Sequence, residues 1–139
     1  MIREPDKVVK GKTVKGKPLG LTPAELKEMV KQGDERIKGV VTALVKTGQG
    51  VEIDLDQLQE GDLVQYWFAG GTAGHVVIVS KVNKEPDGTL KIDMMGSHRS
   101  MGGVSVLKDF TLRKKGKLEV TQAFCVRPKS SPYYSEVAP

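Results

Sequence analysis

The sequence predicts an α+β fold: two N-terminal helices followed by an antiparallel sheet of about five strands. Three observations lead there. Before residue 50 the apolar residues recur with helical spacing. After it they alternate with polar ones in short runs bounded by Gly, Pro and Asp. No segment repeats, and 139 residues are enough for one core but not for two.

Residues 1–20 mix Lys, Gly and Val without a helical period and read as a basic flexible arm. "LTPAELKEMVKQG" follows as a first helix, with Thr22 as N-cap, Pro23 at the first helical position, Glu25 completing a capping box and Gly33 as the stop. Leu26, Met29 and Val30 form its apolar stripe. "DERIKGVVTALVKTGQG" predicts a second helix capped by Asp34 and ended by Gly48 or Gly50. In it Ile37, Val40, Val41, Leu44 and Val45 lie on one buried face. The five strands are "DLVQYWF" (62–68), residues 75–82, "TLKIDMM", "VSVLKDF" and "LEVTQAFCV". "EPDG", with Pro second and Gly fourth, turns the second strand into the third. The domain then covers 21–128, and the proline-bearing end, 129–139, reads as a loose tail.

Hydrophobic content of 38% and charged content of 28% are those of an ordinary globular chain. No stretch reaches the roughly 18 apolar residues of a membrane span. The start, "MIREPDKVVKGK", carries charge without an apolar core, so no secretory signal is expected and the compartment stays open. One cysteine excludes an internal disulfide. Two histidines without clustered carboxylates, Asp93 near His98 being the nearest approach, make a poor metal site, so neither metal nor cofactor is expected. Much of the +5 net charge is local, in Lys7, Lys10, Lys12, Lys15 and Lys17 and in a hairpin tip of Arg113, Lys114, Lys115 and Lys117. Three Phe, three Tyr and one Trp, with no aromatic-basic interleaving, argue against a nucleic-acid reader. A basic surface suits an anionic polymer such as bacterial cell wall equally well.

The two histidines lie at corresponding places. His75 opens one strand after a glycine-rich corner, and His98 closes the next in "MMGSHRSMGG". In an antiparallel hairpin the start of one strand faces the end of the other, so the two rings can come within reach. An imidazole titrates near neutral pH and serves as general base once a polar group orients it. The same positions suit solvated surface histidines. Trp67 and Tyr66 can line a groove or pack in the core, and Gln65 has the chemistry of an oxyanion donor.

"LQEGDLVQYWF" followed by "GHVVIVSKV" resembles the Gly-Asp-Leu-Val and Gly-His segments of the NlpC-type cysteine peptidases and amidases, papain-like enzymes often acting on cell-wall peptides. The resemblance covers roughly residues 34–110. It implies that the Gly-Asp pair opens the first strand of a papain-like sheet and that His75 is the general base. It gives the orienting role to His98, or to Ser97, on the next strand, and implies a peptide or peptidoglycan-like substrate. The family's nucleophile is a cysteine at a helix N-terminus upstream of the histidine strand, where the helix dipole lowers its pKa. No residue before His75 is a cysteine. Thr22 and Asp34 open the helices, and both read as caps. Three explanations stand: the cysteine helix lies upstream of this sequence; the chain is a degenerate, non-catalytic module binding peptide or glycan; or the order is permuted and Cys125 acts. Against the last, "VTQAFCVRP" alternates like a strand rather than opening a helix. The expectation is a base and orienting residue without a nucleophile, and therefore no hydrolysis by this chain alone.

Overall fold

The computed structural model describes residues 6–14, 22–68, 73–98 and 102–137. It corrects the predicted architecture. Among the described residues the chain is mostly β, built on one seven-stranded antiparallel sheet and a separate two-stranded one, with two α-helices. The small sheet comes first: β1 (Lys7–Val9) pairs with β2 (Lys12–Val14), so part of the expected flexible arm is a hairpin. Lys15 and Lys17 lie outside the described residues.

Helix α1 (Pro23–Gln32) follows its signals closely. Thr22 Oγ1 accepts from the Glu25 N–H at 3.2 Å, and Gly33 ends the helix in the left-handed region at φ 67°. The second helix is shorter than its period predicts. Asp34 caps only a 3-10 turn, Glu35–Ile37; Gly39 then turns the backbone to φ 54°, and α2 occupies Val40–Lys46. Only glycine suits this break, because φ 54° disfavours side chains and a Cβ on Gly39 would stand 2.5 Å from Gln65 Oε1. Val41 is buried as expected, but Val45 is exposed.

The large sheet comprises β3 (Gly50–Ile53), β4 (Leu63–Trp67), β5 (Gly74–Lys84), β6 (Leu90–His98), β7 (Gly103–Lys114), β8 (Lys117–Leu118) and β9 (Gln122–Pro128). Its order is β3-β9-β4-β5-β6-β7-β8. Five strands become seven because four-residue β3 carries too little pattern to signal itself, and "LEVTQAFCV" divides into β8 and β9. β3 finds its partner in β9, about 70 residues further on, a pairing that no local pattern encodes.

The sheet curls. Tyr66 of β4 and Phe110 of β7 sit three strands apart, roughly 14 Å in a flat sheet, yet their ring centroids are 5.3 Å apart. Register shifts at Val79/Lys81 and Ile92/Met94 supply the bending. The enclosed face holds the main core, with Val64, Tyr66, Val79, Ile92, Met94 and Leu112 all buried. On the outer face, α1 and the 3-10 turn bury Met29, Val30 and Ile37 against Trp67 and Phe124. The outer face of β5, β6 and β7 keeps Val76, Ile78, Met95 and Val104 exposed. Residues 129–137, which composition describes as a loose tail, fold back onto the sheet. Lys129 N–H donates to Gln49 O at 2.7 Å, Tyr134–Glu136 form a 3-10 turn, and Val137 packs on the core.

Candidate functional site

The candidate site lies where β4, β5 and β6 end together. Tyr66 pairs with His75 across β4 and β5. By alternation from Val77 and Val79, both buried, His75 belongs to the enclosed face of the curl, where it is half-buried. Tyr66 meets its imidazole edge-on, ring centroids 5.9 Å apart at 78°, and Phe68 meets Tyr66 from the other side at 5.2 Å. Burial pushes the Tyr66 phenol pKa upward, so at neutral pH it is a hydrogen-bond donor.

The other side of the imidazole is bounded by Gly96. A Cβ there would lie 3.4 Å from His75 Nε2 and 3.2 Å from Val77 Cγ1, so the glycine lets the ring pack close against β6, with Nε2 buried. The β5–β6 ladder pairs Ile78 with Met95; continued three residues toward the strand ends, the same register sets His75 opposite His98. His98 in turn pairs with Gly103 of β7. In that extended register the two histidine backbones face each other across β5 and β6; the side chain of His98 lies outside the described residues.

The other candidates separate from this group. Ser97, one residue from Gly96 along β6, falls on the outer face, pairs with Val104 and is exposed; it is not on the face of His75. Trp67 also looks outward. Its indole N–H donates to Ile37 O at 3.0 Å and holds the 3-10 turn to the sheet. That ring also explains the Gly-His dipeptide, because a Cβ on Gly74 would stand 3.0 Å from two indole carbons. Gln65 is buried on the helix-facing side, and its Nε2 reaches His75 O at 3.4 Å, holding the strand rather than an oxyanion.

Neither candidate nucleophile is activated. Thr22 is occupied as a helix cap. Cys125 is 1% exposed in the middle of β9 and pairs with Val64 and Ile53. His75 is two strands and one pleat step away, roughly 12 Å in backbone spacing. Burial first, then the carboxylates of Asp62, Glu52 and Asp54, push its thiol pKa far upward, the reverse of activation.

One constellation escaped the sequence reading. Asp62, from the Gly-Asp pair, is fully buried and accepts Arg127 Nε–H and Nη2–H at 3.0 Å each, with the Gln59 N–H at 2.8 Å. Arg127 also donates to Gln57 O at 2.6 Å and Tyr133 O at 3.2 Å. The signal was available: Arg127 follows Ala123 and Cys125 at period two, so an arginine stands at an inward position that demands a carboxylate. Among the described residues, no group of three or more His, Cys, Asp or Glu is arranged to hold a metal, and no helix is long and apolar enough to cross a membrane. Family models, curated proteins and solved structures offer no match to this chain.

Proposed function

We propose that this chain carries the base-bearing half of an acyl-transfer site of the cysteine-peptidase or amidase kind, directed at peptide of the cell-wall type. The observation that supports it is the position of His75, half-buried near the ends of β4, β5 and β6 between Tyr66 and Gly96, with His98 opposite in the extended register. A base in such a place takes a proton from an attacking thiol and returns it to the leaving amine. A neighbouring polar side chain selects its tautomer. Tyr66, packed edge-on at 5.9 Å, restricts the ring on one side. The described residues contribute no thiolate, so the chain by itself is expected to bind peptide without cleaving it.

Two measurements test this reading. In ¹H–¹³C NMR titrations, His98→Ala is expected to shift the His75 midpoint, since an imidazole that orients a base is coupled to its titration. An unchanged midpoint removes His98 as the orienting residue. In a peptide-amide hydrolysis assay the purified chain is expected to remain at background. Turnover that His75→Ala abolishes would place a working nucleophile within this sequence and overturn the division of labour.

A further inference from the structure

We propose that two copies of this chain pair edge to edge through β7, in an antiparallel two-fold arrangement centred on Ser105. The strand is 12 residues long and is paired on one side along its length by β6. On its other side β8 covers only Arg113 and Lys114, and the Glu119 N–H reaches Leu112 O. Among the described residues no strand pairs with that side from Gly103 to Leu107. Free strand edges present unpaired N–H and C=O groups and are templates for another chain.

The sequence of this edge selects a second copy. Gly103–Leu107 reads GVSVL, without charge or proline, and Val104 is 82% exposed. Its centre, Val-Ser-Val, reads the same in both directions. An antiparallel two-fold axis at Ser105 therefore sets serine beside serine and each Val104 beside the other copy's Val106, on the outer face. The register also has natural ends. Beyond Leu107 come Lys108 and Asp109; Asp109 has φ 56°, its N–H is taken by Asp93 Oδ1 at 3.0 Å, and the ladder to β6 shifts there. That bulge stops a flat partner from running further. Within the five paired positions no like charges meet. The contact is short, well below the roughly 800 Å² per partner of a standard interface, so the dimer is weak and concentration-dependent.

Sedimentation equilibrium of the purified chain between about 10 μM and 1 mM tests the proposal. A monomer–dimer equilibrium is expected. Val104→Lys, at an exposed position, is expected to keep the thermal melt and weaken association at least about tenfold. Ser105→Cys is expected to give a disulfide-linked dimer under mild oxidation, because directly opposed residues on antiparallel strands lie within disulfide reach. Buried Cys125 does not compete. A chain that stays monomeric throughout overturns the proposal. So do species beyond the dimer, and association that Val104→Lys leaves unchanged.

Discussion

Asp62 and Arg127 form a bidentate ion pair with side chains 0% and 1% exposed, joining the entrance of β4 to the end of β9. Neither charge has solvent to return to, so each depends on the other. Asp62→Asn or Arg127→Met alone is expected to destabilise the fold by about 3–5 kcal/mol. Urea unfolding followed by circular dichroism measures this. A loss near zero for either single variant would mean that water reaches the pair.

Gly96 lets the His75 ring lie close against β6. Gly96→Ala places a methyl 3.2 Å from Val77 Cγ1 and 3.4 Å from His75 Nε2. The expected cost is about 1 kcal/mol from overpacking, with a displaced His75 imidazole resonance. If that resonance stays in place, the glycine does not border the ring as described.

Cys125 gives the protein an alkaline weakness. Its thiol pKa is raised in the fold, by burial above all, so the folded chain holds the proton after the unfolded chain has released it. The contribution is constant below the unfolded thiol's pKa, about 8.5, and stability falls above it by about 1.4 kcal/mol per pH unit. Cys125→Ala is expected to remove that part of the slope while adding a pH-independent packing loss. Parallel slopes for the two proteins between pH 9 and 10 would contradict this reading.

Gly39→Ala is expected to cost more than an ordinary surface change, about 2 kcal/mol or above. The new Cβ meets Gln65 Oε1 at 2.5 Å, and φ 54° disfavours any side chain. Trp67→Phe, which forfeits the hydrogen bond to Ile37 O, is expected to cost about 1 kcal/mol. Thermal melts by far-ultraviolet circular dichroism rank the two, and the reverse order would show that the 3-10 turn is held chiefly by the indole.

Local features were legible and distant ones were not. The caps of α1, the Pro86–Gly88 turn and the strands β4 to β6 follow from short patterns whose partners are neighbours in sequence. The break at Gly39 was hidden, because an apolar period of 3.6 runs on unbroken through the glycine. β3 was hidden because its partner is β9. At the site, the hairpin pattern alone puts His75 and His98 at strand ends that approach each other, whereas the pairing of Tyr66 with His75 depends on the β4–β5 register and was not legible. Strand alternation sends Ser97 outward, since it is one residue from Gly96. Trp67 looked like a groove residue because its partner, the Ile37 carbonyl, is backbone and leaves no mark in sequence.

β9 leaves the ribosome after every other strand of the large sheet, yet it occupies the second place in the order, between β3 and β4. Until residues 122–128 emerge, β3 has no neighbour and β4 exposes one edge; Asp62 waits for its arginine. The hairpins from β4 to β8 can zip up during synthesis, but the curl cannot be locked. Completion of the sheet therefore waits for β9, and a chain without Gln122–Pro128 is expected to remain an open, protease-sensitive meander.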